Sequence, residues 1–214
     1  MIQGGHSDDE GGSSPCYLHE LGEDGAPRDP QQALDVARWR KAERERLIAE
    51  RLALTKQYRT EQTELIAQAL DRHIPRAAGT VVGAYWPIRG EPDLRAWMRA
   101  RWHDGLRFAL PVATTLGQPL EFREWQPDAP MQQGLWKIPF PAEGRLVLPT
   151  VVLAPLVGFD SANFRLGYGG GFFDRTLQEL NPAPLKLGVG YAIAAIPTIY
   201  PQPHDVPMDR IVTG

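Results

Sequence analysis

Residues 151–180 read VVLAPLVGFDSANFRLGYGGGFFDRTLQEL. The first seven form an unbroken apolar run, which is typical of a central strand that is covered on both faces. Four glycines lie within the five positions 167–171, and a helix is predicted over residues 176–180. A strand, a glycine-rich loop and a helix in this order predict an α/β fold.

The rest of the chain repeats this alternation of strands and helices. Helices are predicted over residues 31–56 and 61–73, and a third is predicted after Gly90, with Pro92 in its first turn. Together these stretches predict a single-domain, layered α/β fold with a mostly parallel sheet flanked by helices. The predicted strands are residues 80–86, 106–112, 120–125, 151–157, 185–193 and 208–213.

The first thirty residues differ from the rest in composition. Residues 1–30 are rich in Gly, Ser, Asp, Glu and Pro and contain seven acidic residues but only one arginine, so residues 31–214 are mildly basic. A segment of this kind cannot bury enough surface to offset the entropy lost on ordering. We therefore predict a disordered acidic N-terminal tail over residues 1–30 and a folded domain over residues 31–214.

Several classes of protein are disfavoured by the sequence. Cys16 is the single cysteine, so no intrachain disulfide can form. The N-terminus lacks the basic start and apolar run of a signal peptide, and no apolar run approaches the roughly 20 residues that span a bilayer. The weak basic charge argues against nucleic-acid binding. We predict a cytoplasmic monomer with no membrane or nucleic-acid partner.

The glycine-rich loop has two interpretations. Convergent backbone N–H groups and a helix N-terminus can cradle a phosphate, although the Gly-Lys-Ser/Thr of a Walker A loop is absent. Alternatively, the glycines merely supply positive φ in a tight turn. Arg165 and Asp174 stand at the two ends of the loop, where they can bind phosphate and Mg²⁺, respectively. Otherwise, Arg165 is a solvated arginine and Asp174 complements a helix dipole.

The loop sequence RLGYGGGFFDR at 165–175 resembles the hallmark of the 5-formyltetrahydrofolate cyclo-ligase family, usually Arg-Leu-Gly-x-Gly-x-Gly-Tyr-Tyr-Asp. Further similar segments, in the family's order, are residues 85–93, 135–139, 156–160 and 204–209. The resemblance implies a layered α/β fold and the MgATP-dependent conversion of 5-formyltetrahydrofolate, with or without a polyglutamate tail, to 5,10-methenyltetrahydrofolate, ADP and phosphate. Phe172 and Phe173 replace the usual tyrosines. An alternative is a diverged paralogue that keeps the ATP loop but acts on another folate or small acid, or only binds.

The resemblance also implies roles for individual residues. Arg165 would be catalytic, stabilising the transferring phosphate. Asp174 and Asp209 would be the metal ligands, and Glu91, Trp136 and Tyr168 would bind the folate. The residues expected to bind ATP are Arg40, Arg44, Arg165, Leu166, Gly167, Tyr168, Gly169, Gly170, Gly171, Phe172 and Phe173.

Other interpretations of these residues remain open at this stage. Arg40, Arg44 and Arg51 lie on one helical stripe with Leu47. Alternatively, this stripe is a solvated face whose arginines pair with the glutamates at 43, 45 and 50. Glu91 is alternatively a residue at a helix start, and Trp136 a core side chain.

Overall fold

The computed structural model describes residues 30–113 and 115–214 of the chain. The predicted acidic tail up to residue 29, Cys16 and Thr114 lie outside them. Within the described ranges, no helix has both the length and the apolar character needed to cross a membrane.

The predicted helices form, but their boundaries differ from those predicted; the second, for example, begins at Lys56 and not near residue 61. The α-helices are α1 (Pro30–Ala53), α2 (Lys56–His73), α3 (Arg95–His103) and α4 (Phe172–Glu179). Placing Pro92 in the first turn of α3 was wrong, because that helix begins only at Arg95. The carbonyl of Pro92 instead accepts the Tyr85 hydroxyl at 2.8 Å, and a residue before proline is disfavoured in helical conformation.

Helix α4 begins four residues earlier than predicted. Its N-cap is Gly171, with a left-handed φ of 65°, so the last glycine of the loop starts the helix. This places Asp174 in the first turn of α4, where its charge complements the helix dipole.

The six predicted strands all form and build one sheet. They correspond to β1, β2, β3, β6, β9 and β10 in the following numbering, and four short strands were not predicted. In chain order, the strands of the described residues are β1 (Val81–Gly83), β2 (Arg107–Val112), β3 (Glu121–Trp125), β4 (Met131–Gln133), β5 (Pro139–Pro141), β6 (Val151–Pro155), β7 (Gly158–Phe159), β8 (Arg165–Leu166), β9 (Leu185–Val189) and β10 (Arg210–Val212). The main sheet has the order β10-β9-β6-β1-β2-β3. Neighbouring strands are parallel except β2 and β3, which are antiparallel. Strands β4 with β5, and β7 with β8, form separate two-stranded ribbons.

Helices cover both faces of the main sheet. On one face, Ile66 of α2 and Met98 of α3 pack against alternate strand residues such as Leu153. On the other face, Leu177 of α4 packs against the intervening residues, including Val152. All five residues of β6 are buried as a result. The predicted layered α/β fold with a mostly parallel sheet is therefore confirmed.

Helix α1 lies apart from these two faces. Its Leu47 packs in a third apolar cluster with Val157, Leu166, Ile196 and Ile199, all of which follow the carboxyl ends of β6 and β9. Helix α1 therefore runs across the loops at the carboxyl edge of the sheet, which is the edge that carries the candidate site.

Candidate active site

The candidate site lies where the direction of chain progression across the sheet reverses. From β1 the chain proceeds to β2 on one side of that strand, and β6 pairs on its other side. In open α/β sheets, ligands bind in the crevice outside the carboxyl ends of two such strands. The loop after β1 carries Glu91, and the chain after β6 leads into the glycine loop at residues 167–171.

The glycine loop leads directly into the N-terminus of α4. No side chain caps this helix, so its first N–H groups are available to an anion. Gly169 has φ 94°, and a Cβ at this position would lie 3.4 Å from the Arg44 guanidinium carbon. The loop therefore needs glycine at this position for its backbone conformation, whereas a Cβ would make only an ordinary contact with Arg44.

Arg165 and Asp174 contact each other instead of standing apart at the two ends of the loop. Arg165 Nη2 donates to Asp174 Oδ2 at 2.9 Å, and both residues are buried. The other carboxylate oxygen of Asp174 accepts the Val206 N–H at 3.3 Å. The Arg165 guanidinium also lies over the Phe173 ring, 5.3 Å from its centroid. Arg165 is thus not a solvated surface residue, and that alternative was wrong.

Two buried arginine nitrogens beside the loop have no hydrogen-bond partner among the described residues. They are Nε of Arg165 and Nε of Arg175. The Nη2 atom of Arg175 donates to the Gly170 carbonyl at 2.5 Å, which places this arginine against the loop. A buried donor without a partner is costly, and the two guanidinium groups that carry these nitrogens adjoin Gly167 and Gly171 of the loop.

The arginine stripe of α1 faces the protein and not the solvent. Arg40 and Arg51 are both buried, with Leu47 between them. Glu43 and Glu50 pair with Arg46, which lies on the exposed side of the helix. The interpretation of this stripe as a solvated face paired with those glutamates was therefore wrong.

Arg40 and Arg44 contact different parts of the structure. Arg40 pairs with Asp205 and donates to the carbonyls of Ile199 and Tyr200, both at 2.9 Å. Arg44 donates from Nε to the Gly167 carbonyl at 2.7 Å and is half-buried. Burial and the nearby charge of Arg40 lower the pKa of Arg44. Of the two predicted phosphate contacts, only Arg44 reaches the glycine loop.

Tyr168 joins the glycine loop to Glu91. The Tyr168 hydroxyl donates to Glu91 Oε1 at 2.8 Å, and Glu91 Oε2 accepts the Ile88 N–H at 2.8 Å. Glu91 is only 5% exposed, and burial raises the pKa of its carboxyl group. Glu91 precedes α3 by several residues, so the alternative of a helix-start residue was wrong.

Arg51 is a part of this site that the sequence did not identify as a ligand-binding residue. Its Nη2 donates to the Tyr168 hydroxyl at 2.5 Å. The available signal was its position on the α1 stripe, eleven residues after Arg40. The sequence pattern alone does not show that such a stripe faces the interior of the protein.

Trp136 lies on the turn between β4 and β5. It is 61% exposed and has a left-handed φ of 53°, so the alternative that it is a core side chain was wrong. Its ring meets the Phe172 ring edge-on, with 5.3 Å between centroids. Because Phe172 is the first residue of α4, this contact places Trp136 beside the N-terminus of that helix.

Leu166 contributes to the core and not to the surface of the site. Its side chain is only 1% exposed and packs against Leu47 and Val157. Its carbonyl accepts the Val157 N–H at 2.8 Å. The β7–β8 ribbon turns this side chain inward, so the predicted contact of Leu166 with ATP would have to come from its backbone.

The two predicted metal ligands, Asp174 and Asp209, have separate partners. Asp209 Oδ2 accepts the Lys186 N–H at 2.7 Å, and Oδ1 lies 3.4 Å from Lys186 Nζ. Across the described part of the chain, no three His, Cys, Asp or Glu residues cluster so as to hold a metal ion. Mg²⁺ is usually held by one or two carboxylates together with nucleotide phosphates. These residues therefore do not form a ready-made Mg²⁺ site, and Asp174 fits at most as a single ligand to an ion that a nucleotide brings.

Comparison with known proteins gives consistent matches to one family. The model of the 5-formyltetrahydrofolate cyclo-ligase family matches residues 36–214. The 5-formyltetrahydrofolate cyclo-ligase of Haemophilus influenzae is 30% identical over 176 residues, covering 79% of this chain and 93% of that protein. The 5-formyltetrahydrofolate cyclo-ligase of Escherichia coli K12 is 31% identical over 171 residues, covering 76% of this chain and 93% of that protein.

Solved structures show the same fold. A 5,10-methenyltetrahydrofolate synthetase from Mycoplasma pneumoniae matches with a TM-score of 0.67 at 23% identity, covering 81% of this chain and 98% of that one. The NMR structure of the Aquifex aeolicus 5,10-methenyltetrahydrofolate synthetase matches with a TM-score of 0.69 at 26% identity, covering 81% of this chain and 88% of that one.

Proposed function

Because this chain belongs to the 5-formyltetrahydrofolate cyclo-ligase family, we propose that the site around Tyr168 carries out the reaction for which that family is named. The protein is a ligase that converts 5-formyltetrahydrofolate to 5,10-methenyltetrahydrofolate with the use of ATP. Monomeric state, cytoplasmic location and acceptance of polyglutamylated folate remain predictions from the sequence.

The observation that supports this proposal is the position of Tyr168. Tyr168 belongs to the glycine loop, yet its hydroxyl bonds to Glu91 in the loop after β1. The phosphate-binding and the folate-binding parts that we propose are therefore adjacent. A reaction in which a folate oxygen attacks a nucleotide phosphate requires this proximity.

The phosphate half would consist of the glycine loop, the N-terminus of α4 and Arg44. In the reaction, the formyl oxygen attacks the γ-phosphorus of ATP and ADP leaves. N10 then attacks the activated formyl carbon and loses its proton, and phosphate departs with the former formyl oxygen to give the methenyl product. Backbone N–H donors and arginines stabilise the negative charge on the transferring group. No protein nucleophile is needed.

Individual arginines have distinct proposed roles. Arg44, which already reaches the loop, would contact phosphate directly. Arg165 would offer its unpaired Nε to the transferring phosphate. The donors of Arg40 bond to Asp205 and to two carbonyls, so we propose that Arg40 supports the site and that any ATP contact requires it to leave those partners.

Mg²⁺ would enter the site as the MgATP complex. When bound, the ion neutralises charge on the phosphates. Asp174 is the proposed protein ligand, whereas Asp209 would need to leave Lys186 to serve as a second one.

The folate half would consist of Glu91, Tyr168 and Trp136. A carboxylate has about four lone-pair positions, so Glu91 can accept a pterin N–H in addition to its two present donors. Trp136 presents an exposed ring, which offers a flat stacking surface for an aromatic substrate.

The alternative, a diverged paralogue, is supported only by Phe172 and Phe173 in place of tyrosines. In the structure these rings have partners that need no hydroxyl group. Phe172 meets Trp136, and Phe173 lies under Arg165. Packing of the loop therefore does not require the missing hydroxyl groups, and the assay below decides between the two functions.

A direct assay tests the proposed function. The purified full-length chain is mixed with MgATP and 5-formyltetrahydrofolate, and the methenyl product and released phosphate are both measured. We expect one phosphate for each methenyl group formed, and no product without ATP. Binding of ATP with no methenyl product under any condition would favour the diverged paralogue.

A further inference from the structure

Arg51 bonds to three separate segments at the carboxyl edge of the sheet. Its Nε donates to the Arg89 carbonyl at 3.0 Å, its Nη1 to the Leu156 carbonyl at 3.1 Å, and its Nη2 to the Tyr168 hydroxyl at 2.5 Å. These acceptors lie after β1, after β6 and in the glycine loop, respectively. With only 5% of its surface exposed, the side chain is held in one orientation.

The planar guanidinium suits this arrangement. Its donors point in fixed directions within one plane, so three bonds to three segments fix the positions of those segments relative to one another. A lysine ammonium has a flexible stem and lacks the planar fork, so it cannot reproduce the geometry. Arg51 therefore holds together three segments that converge on the proposed folate half of the site.

The bond from Arg51 also fixes the direction in which the Tyr168 hydroxyl donates. Because the oxygen of this hydroxyl accepts from Arg51, its proton is directed to Glu91 Oε1. Burial raises the pKa of Glu91, while hydrogen bonds from Ile88 and Tyr168 and the charges of Arg51 and Arg89 oppose that rise.

The ionisable groups that face Glu91 come from three segments. Arg51 lies on α1, Tyr168 lies in the glycine loop, and Tyr85 and Arg89 lie in the loop that follows β1. Arg51 and Arg89 are the cations in this set, so removal of Arg51 leaves Arg89 as the counter-charge.

We propose that Arg51 is a positioning residue for the folate half of the site, which aims the Tyr168 hydroxyl at Glu91 and so orients the carboxyl group of Glu91 toward the pterin ring. This inference rests on the proposed function. It assigns to Arg51 an indirect role, exerted through Tyr168 and Glu91, and no contact with ATP.

The test is steady-state kinetics of Arg51→Gln at a series of pH values, with each substrate varied in turn. We expect KM for 5-formyltetrahydrofolate to rise about tenfold or more, the scale of one lost hydrogen bond in a charged network. KM for ATP should stay within about twofold. The acidic limb of kcat/KM for the folate should move to higher pH, because Glu91 loses a nearby positive charge.

Three further variants make the test specific. Arg46→Gln is the matched control, because Arg46 lies on the exposed side of the same helix and should leave all values unchanged. Arg51→Lys retains the charge but not the planar fork. The acidic limb of kcat/KM should therefore lie where it does in the wild type, whereas KM for 5-formyltetrahydrofolate should stay raised. If Arg51→Gln does not fold, Tyr168→Phe replaces it, because loss of this hydroxyl breaks the same path and should give the same shift of the pH limb.

The outcomes separate the inference from the proposed function. Absence of methenyl product with the wild-type protein would overturn both. Normal wild-type turnover, with Arg51→Gln or its substitute Tyr168→Phe showing an unchanged folate KM and pH limb, would overturn the positioning role alone. In that case a lowered melting temperature of Arg51→Gln would mark the arginine as purely structural.

Discussion

The guanidinium of Arg165 and the carboxylate of Asp174 form a buried ion pair, with 2.9 Å between Nη2 and Oδ2. Removal of either partner leaves the other buried and uncompensated. We expect Arg165→Met to lower the free energy of unfolding by about 3–5 kcal/mol, and turnover by roughly 10²-fold or more. Urea unfolding and the cyclo-ligase assay measure the two effects. The double variant Arg165→Met/Asp174→Asn should lose less stability than the sum of the single variants, and simple additivity would show that the pair is not coupled.

Arg40 and Arg44 lie one helical turn apart but should respond differently to truncation. Arg40→Ala removes the partner of Asp205 and should cost about 3–5 kcal/mol in the free energy of unfolding. Arg44→Ala loses only one bond to the Gly167 carbonyl and should cost about 1 kcal/mol. Its KM for ATP should nevertheless rise about tenfold. An unchanged KM for ATP in Arg44→Ala would remove this arginine from the phosphate site.

Trp136 should matter for binding but not for stability. Its side chain is 61% exposed, so Trp136→Ala should leave the melting temperature nearly unchanged. The loss of ring stacking should raise KM for 5-formyltetrahydrofolate by about two- to tenfold. Leu148→Ala is the matched control, because Leu148 is a similarly exposed apolar residue, at 63%. Equal effects of the two substitutions on KM would contradict a specific role for the tryptophan.

Glu91 should make the stability of the protein depend on pH. Because burial raises its pKa above the ordinary value of 4.5, the folded state keeps this proton at a pH where the unfolded chain has lost it. The resulting stabilisation is complete below pH 4.5 and is lost as the pH rises through the folded-state pKa. Between the unfolded-state and the folded-state pKa of Glu91, the free energy of unfolding of Glu91→Gln should therefore rise relative to that of the wild type by about 1.4 kcal/mol per pH unit.

Urea unfolding of both proteins from about pH 4 to about pH 7 measures this difference. A constant difference between them across that range would show that the pKa of Glu91 is not raised in the folded state.

The two phenylalanines of the loop should respond differently to restoration of tyrosine. Phe172 meets the exposed Trp136, so a hydroxyl here can reach bound ligand, and Phe172→Tyr should raise kcat/KM by about tenfold. Phe173 packs under Arg165 and against the core cluster below α4. A hydroxyl there would be a buried donor without a partner, so Phe173→Tyr should be neutral or harmful. The reverse order of effects in the folate assay would contradict this assignment.

The strands were predictable because burial leaves a strong local signal. Strand β6 is covered by helices on both faces, and its five residues are all apolar. The ribbons β4–β5 and β7–β8 were not predicted, because strands of two or three residues show no usable periodicity. The start of α4 was placed too late, because a glycine run lowers helix propensity although Gly171 is its N-cap.

The site was only partly predictable, for a different reason. The glycine motif is local, so its position at the start of a helix follows from the sequence. The partners of the charged groups are set by tertiary contacts, as in the pairing of Arg40 with Asp205 from the far end of the chain. The inward orientation of Arg51 likewise depends on where α1 packs, which no periodicity in α1 itself specifies.

The way in which α1 is attached has a consequence for local opening of the protein. Among residues 31–53, the buried side chains are Val36, Arg40, Leu47 and Arg51, so half of the buried anchors are arginines bonded to polar acceptors that water can replace. Amide protons of α1 should therefore exchange with solvent faster than those of β6, whose five residues are all buried. Because ATP would bind only when α1 is docked, saturating nucleotide should also slow exchange in α1.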